Sequence, residues 1–255
     1  MLNSTATKTM LTIIKLLIYY FAYQLGFQAI ALVAARHVTP MDPSMALSLA
    51  MVVSTAVMTW HLIHFGYIRL TRNLFKGVSV SILAASVVLV SSGTYVLNLL
   101  IEQADIPYTT EEIFLGMSRN PFGVLSIALM GPILEELLFR GVIQRRIQAM
   151  THKAWVAIIA SALIFGVVHG NQAQIIFASL MGLMFGWLYY RTGSLLPSIV
   201  GHVVNNSVAA INMILYGNTT IEEQMNGPLA MWLWAAMAIV ICCIAVGWLN
   251  RKLTR

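Results

Sequence analysis

Charge is scarce in this chain. Of its 255 residues only 9% are Asp, Glu, Lys or Arg, while 59% are hydrophobic. A soluble domain usually carries about a quarter charged residues. No soluble fold of this length hides so much apolar side chain, because much of any globular surface faces water. A water-soluble enzyme or binding module is therefore excluded, and lipid is the solvent that fits. Cysteine is almost absent too. Cys242 and Cys243 are the two, and they are adjacent inside an apolar run. Such neighbours form no ordinary unstrained disulfide, and they lack metal-site spacing, so they read as packing residues. The HExxH signature of helical zinc proteases is missing. So are matching halves of the kind transporters often show.

What charge there is carries information. Fifteen Lys and Arg against nine Asp and Glu give a net +6. The basic residues lie in short clusters between apolar runs, not in one stripe, which argues against a nucleic-acid partner and reads instead as a topology signal. A membrane helix needs roughly 20 apolar residues. Eight candidate spans meet or approach that length: 11–35, 44–68, 77–101, 121–144, 154–170, 173–190, 194–215 and 228–249. The first is too long for a signal peptide's apolar region and is expected to be retained. The fifth and sixth are separated only by Gly170, Asn171 and Gln172, which predicts a tight helical hairpin.

With the N-terminus cytoplasmic, the inside segments hold Lys8, Lys15, Arg69, Arg72, Lys76, Arg145, Arg146, Lys153, Arg191, Arg251, Lys252 and Arg255. The outside loops hold Arg36 and Arg119 together with Asp42, Glu102, Asp105, Glu111, Glu112, Glu222 and Glu223. Eight spans with both termini inside satisfy the positive-inside rule in every loop. The expected fold is an all-α bundle of eight transmembrane helices forming one membrane domain over 1–255. A short surface helix is expected after Tyr108-Thr109-Thr110.

Three charges fall inside a span. Glu135, Glu136 and Arg140 all lie in the fourth, in the run Gly131-Pro132-Ile133-Leu134-Glu135-Glu136-Leu137-Leu138-Phe139-Arg140. Such a group at mid-membrane costs roughly 2.5–3.5 kcal/mol on insertion scales and persists where it is paired or lines a wet cavity. Glu136 and Arg140 are four apart on one helix face and are expected to form a structural ion pair. Glu135 lies about 100° further round and needs another partner. An unpaired intramembrane acid is a functional-site candidate. Pro132 removes a backbone hydrogen bond and is expected to bend the helix toward the site.

Two histidines join it. His169 ends the fifth span in Phe165-Gly166-Val167-Val168-His169, and His202 sits in the seventh in Gly201-His202-Val203-Val204-Asn205-Asn206. Asn205 and Asn206 follow His202 by three and four residues and share its face. Counting the helical rise, Glu135 lies roughly 15 Å from Arg145, and His202 and Asn206 roughly 12 and 18 Å from the start of their span. His169 comes out deeper, about 22 Å from Ala154, so a tilt or kink is needed to bring it level. Other features read as structural. His61 and His64 are expected to be interfacial rather than metal ligands. Gly182 and Gly186 form a GxxxG pattern expected to pack helices closely. Asn218-Thr219-Thr220 matches a glycosylation acceptor that only a eukaryotic secretory context would use.

The set Glu135-Glu136-x-x-x-Arg140, Phe165-x-x-x-His169 and His202-x-x-x-Asn206, in that order on three membrane helices, resembles the CPBP family. That family comprises the CAAX prenyl endopeptidases and the bacteriocin-processing or immunity proteins. The segment Thr192-Gly193-Ser194-Leu195-Leu196-Pro197-Ser198 is also similar. The likeness covers roughly 120–215, the expected catalytic core. It implies an intramembrane endopeptidase whose cavity opens toward the cytoplasm. Its substrate would be a membrane-associated or prenylated protein or peptide. It also implies roles: Glu135 as general base aided by His169, His202 and Asn206 on the oxyanion, and Glu136 with Arg140 holding the site's shape.

The chemistry is sound without a nucleophilic Ser or Cys. A carboxylate among apolar walls is a stronger base than one in water. Side-chain donors aimed at the oxyanion supply the other half. A zinc ion held by Glu135, His169 and His202 is the rival account. Metal-independent catalysis is favoured, because each zinc ligand wants a supporting partner and the sequence shows none clearly. A non-catalytic adaptor or immunity protein on the same fold is the alternative function. A transporter using Glu135 as proton relay is a third, disfavoured by the missing repeats.

Overall fold

A computed structural model describes residues 4–106, 111–217 and 219–253. Among the described residues every regular element is a helix. Helices α1 (Ser4–His37), α2 (Pro43–His64) and α3 (Val80–Gln103) precede a short α4 (Glu111–Ser118). Then come α5 (Pro121–Thr151), α6 (Ala154–Val167), α7 (Gln172–Thr192), α8 (Leu196–Tyr216), the one-turn α9 (Ile221–Gln224) and α10 (Pro228–Lys252). Among the described residues, seven helices are long and apolar enough to cross a membrane, and α6 is apolar but shorter. All eight apolar stretches are thus helices. Outward faces are greasy, as lipid requires: Val80, Leu229 and Ile244 are 81%, 75% and 65% exposed. The protein is a multi-pass integral membrane protein. Cys242 and Cys243 are unpaired.

Helix ends follow local chemistry. Asp42 caps α2, accepting from the Ser44 and Met45 amides ahead of Pro43. Those amides hold its carboxyl below the usual carboxylate range. The α6–α7 hairpin turns on Gly170 at φ +71°, where a side chain would be strained. Asn171 then caps α7 through the Ala173 and Gln174 amides. The surface helix expected after Tyr108-Thr109-Thr110 is α4. Those three residues, Asn218 of the acceptor pattern and Arg255 lie outside the described residues.

Two expectations change. The fourth helix does not end at 144 but runs to Thr151. Arg145 and Arg146 end the apolar stretch without ending the hydrogen-bonded helix. His61 is not an interfacial histidine: it is 5% exposed. α1 packs on α2 here, so Tyr19, Phe65 and Tyr67 surround its ring and the Tyr23 hydroxyl meets Nδ1 at 2.9 Å. His64 stays exposed, stacked on Trp60.

Helix α5 is the centre of the bundle. Leu134, Leu137, Leu138, Phe139, Val142 and Ile143 anchor the main apolar core. Its backbone alternates: α-helical Gly131–Glu135 lies between two π-helical stretches, Ser126–Met130 and Glu136–Gln144. The wider turn has a visible cause at the first. Gly131 N–H bonds back to the Ser126 carbonyl, five residues away, and Pro132 has no N–H to offer. The Ile127 carbonyl is left without its usual backbone partner. Such π turns are rare and concentrate at functional sites.

Close helix contact holds α6 and α7 beside α5. A Cβ at Gly182 would sit 3.0 Å from the Ala162 Cα, and one at Gly166 would fall 1.9 Å from Ser179 Oγ and 2.6 Å from the Ile175 carbonyl. The GxxxG expectation is met, and α6 answers it with its own glycine. Gly166→Ala is expected to lower stability by about 1–3 kcal/mol, the usual cost of overpacking. Gly247→Ala, where no atom lies within 4 Å, is expected to have no such effect. Thermal unfolding of both variants in one detergent checks this, and equal melting temperatures would contradict the close packing.

Candidate active site

The polar centre is assembled on α5 and finished by α6, α7 and α8. Arg140 Nη1 donates to Glu136 Oε1 at 2.9 Å, and both side chains are fully enclosed. Arg140 Nη2 donates to the Gly182 carbonyl at 3.2 Å. One turn on, Gln144 Nε2 donates to the Gly186 carbonyl at 2.9 Å. The two glycines therefore serve twice, admitting the neighbouring helix and presenting carbonyls to it. The guanidinium also lies over Phe165 and Phe185, 4.5 and 5.3 Å from their centroids, which compensates part of its lost hydration.

His202 enters from α8 and is 4% exposed. Its Nδ1 meets Glu136 Oε1 at 3.1 Å, and its Nε2 lies 3.5 Å from Glu135 Oε2. The first contact is a hydrogen bond. The second is longer than one, so both atoms retain capacity for a shared water or substrate oxygen. Phe185 stacks on the imidazole at 4.6 Å and 22°, and Phe165 meets it edge-on. Glu136 therefore does more than the expected helix-surface pairing, since it also orients His202. Glu135, a sixth exposed at 16%, finds in His202 the partner its helix face lacked.

His169 is placed differently. Its Nδ1 donates to the Phe165 carbonyl at 2.7 Å, which leaves Nε2 as the open acceptor. The Phe165 ring contacts both His169 and His202. Among the described contacts, His169 does not touch Glu135. Asn206 Nδ2 donates to the Ile127 carbonyl at 3.0 Å, the group freed by the π turn. Its Oδ1 accepts from Asn205 Nδ2, and Asn205 accepts from Thr94 Oγ1 at 2.6 Å. Asn205 and Asn206 thus form a relay from α3 to α5, with one Asn206 amide hydrogen still uncommitted.

Among the described residues, no three of His, Cys, Asp and Glu are placed to share one metal ion. Glu135, His169 and His202 in this arrangement do not form a zinc ligand set. Sequence reasoning missed Phe185, Gln144, Ser161 and Thr94. Ser161 donates to the Phe139 carbonyl at 2.9 Å, tying α6 to the π-helical turn. Gln144 had a signal: an amide four residues after Arg140 marks the same face.

The buried pair yields a stability test. Arg140→Met alone leaves Glu136 enclosed with only the His202 imidazole as partner, with an expected cost of about 3–5 kcal/mol. Replacing both, Glu136→Leu with Arg140→Met, is expected to recover much of that. A double-mutant cycle on detergent unfolding checks it, and additive losses would show the two charges to be independent.

The family model described as type II CAAX prenyl endopeptidase Rce1-like matches residues 118–208. That segment contains Glu135, Glu136, Arg140, His169, His202 and Asn206. "Putative membrane peptidase YdiL" of Bacillus subtilis (strain 168) is 30% identical over 115 residues, 45% of this chain and 47% of that protein. "Membrane-embedded CAAX protease MroQ" of Staphylococcus aureus (strain USA300) is 30% identical over 111 residues, 42% of this chain and 45% of that protein. The match thus spans about half the length of these curated relatives. No solved structure matches. The three motifs, on α5, at the end of α6 and on α8, all fall within the matched segment, and through residues 118–208 the chain is similar to the type II CAAX prenyl endopeptidase Rce1-like family.

Proposed function

We propose that this protein is an intramembrane endopeptidase. It hydrolyses a peptide bond of a membrane-associated protein or peptide, prenylated or not, with a water activated by Glu135. The observation that carries this is the difference between two adjacent acids. Glu136 is fully enclosed and bound to Arg140 and His202. Glu135 is partly open and faces His202 across 3.5 Å. A water hydrogen-bonded to Glu135 and His202 together fits that gap.

Glu135 takes the water's proton as hydroxide attacks the carbonyl carbon. His169 offers its Nε2 as a second proton acceptor near the site. In its imidazolium form, His202 donates from Nδ1 to Glu136 and from Nε2 toward the developing oxyanion. The second Asn206 amide hydrogen is available for the same oxygen. Glu136 and Arg140 position His202. The leaving amine recovers the proton from Glu135.

Eight crossings with both termini cytoplasmic complete the proposal. The 14-residue α6 rises about 21 Å, short of the roughly 30 Å hydrocarbon core. The turn residues before α7 complete its crossing. The distribution of Lys and Arg supports this orientation.

Peptide-library cleavage by detergent-purified protein is the test. Glu135→Gln is expected to cut the rate by about 10²–10⁴, the range for losing general-base catalysis. Asn206→Ala is expected to cost about 10²–10³, as for one oxyanion donor. Chelator is expected to leave cleavage unchanged. Full activity in Glu135→Gln at normal membrane levels would sink the hydrolase reading. Cleavage by neither variant nor parent, with a host phenotype that survives Glu135→Gln, would point to the adaptor.

A further inference from the structure

Away from the glutamate pair, three arginines share one cavity. Arg69, in the segment after α2, faces Arg145 and Arg146 of α5 across a space of about 420 Å³. Tyr67 and Thr71 add hydroxyls, and Ala149 and Gly141 complete the wall. Among the described residues no Asp or Glu lines it. Among the described residues none of the three guanidiniums has a carboxylate partner. Like charges around one space repel each other and favour an anion between them.

The cavity is built in advance. Gly66, at φ +69°, turns the chain out of α2. Ile68, 2% exposed, donates its N–H to the Leu62 carbonyl at 3.1 Å. Its Cδ1 fills the space over Gly141, where a Cβ would come within 2.6 Å. Further along, the Leu74 carbonyl accepts from Leu195 N at 3.0 Å. Tyr67 is fixed by its parallel stack on His61 at 5.7 Å and 10°. The segment is thus pinned to α2, α5 and the start of α8, and an anion bound here would find its donors already in position.

The flanks decide which anion. Phe65 and Leu70 border the segment and are 59% and 51% exposed. Exposed apolar side chains beside a basic cavity at a bundle end suit a headgroup in the cavity with acyl chains alongside. We propose that this cavity binds the phosphate of an anionic membrane lipid. Arg69, Arg145 and Arg146 carry the charge recognition, with Thr71 and Tyr67 as neutral donors. The site adjoins α5 at Gly141, next to Arg140, so an occupied cavity clamps the segment after α2 onto the turn that carries the buried ion pair.

Native mass spectrometry of the full chain in neutral detergent tests this with phosphatidylglycerol, phosphatidylcholine and inorganic phosphate. The wild-type protein is expected to retain phosphatidylglycerol over phosphatidylcholine. The triple variant Arg69→Gln, Arg145→Gln, Arg146→Gln is expected to lose about a hundredfold in that affinity, about fivefold per guanidinium. Ala149→Glu, at an exposed position, is expected to abolish retention by placing a carboxylate in the cavity while leaving the fold intact. Arg251→Gln with Lys252→Gln, basic residues at the end of α10, is expected to bind as wild type. Unchanged retention in the triple variant and in Ala149→Glu overturns the proposal. Competition by inorganic phosphate at equal concentration overturns the lipid as source and leaves a free-phosphate site. None of these readouts depends on peptidase activity.

Discussion

The contact between Glu136 and Arg140 constrains the whole centre of the bundle. Removing two charges from water costs several kcal/mol per ion, and a bare pair seldom recovers it. Here the compensation is distributed over four helices. The guanidinium reaches the Gly182 carbonyl of α7 and lies between Phe165 of α6 and Phe185 of α7. The carboxylate reaches His202 of α8. Among the described residues, Glu136 Oε2 and Arg140 Nε nonetheless find no protein hydrogen-bond partner. A pair left partly unsatisfied makes a poor stabiliser and a demanding positioner. Its energy is recovered only when α6, α7 and α8 are all in place, which makes the geometry around His202 a condition of folding.

The π-helical stretches extend the same logic to the backbone. A regular α-helix would satisfy every carbonyl internally, leaving α8 nothing on α5 to bond except side chains. Pro132 and the five-residue turn before it release the Ile127 carbonyl, and Asn206 claims it. In lipid an unclaimed carbonyl is costly, so the irregular turn and the asparagine require each other. Ser161 acts in parallel at the Phe139 carbonyl. Depth in the membrane, usually hostile to irregular backbone, thereby fixes the angle at which α8 meets the glutamates.

Much of this was legible in the sequence, and the boundary has physical causes. The Glu136–Arg140 pair follows from a four-residue spacing, and the need of Glu135 for another partner follows from its angle on the helix. Gly182 and Gly186, the α6–α7 hairpin and the eight apolar helices were readable because each depends on neighbours in sequence. The bond of Glu136 to His202 was not, since it joins residues 66 apart and depends on how α8 crosses α5. The π turns were invisible because periodicity arguments assume 3.6 residues per turn. His61 was misjudged because a hydropathy boundary says nothing of which helix packs against it. A polar residue near a hydropathy boundary looks interfacial until a neighbouring helix covers it.

The two glutamates show how one residue step becomes a chemical difference. Both carboxylates reach the same imidazole, on opposite nitrogens. That requires a ring whose plane cannot rotate, and Phe185 stacked on one face with Phe165 at its edge supplies the restraint. With the ring fixed, the 100° between successive helical residues sends one acid inward to Arg140 and leaves the other at the cavity side. The acids cannot exchange places without turning α5, and Arg140, anchored to the Gly182 carbonyl, prevents that turn. The openness of Glu135 is therefore a consequence of the enclosure of Glu136, and a reaction that needs one free carboxylate beside a held imidazole finds both specified by a single buried pair.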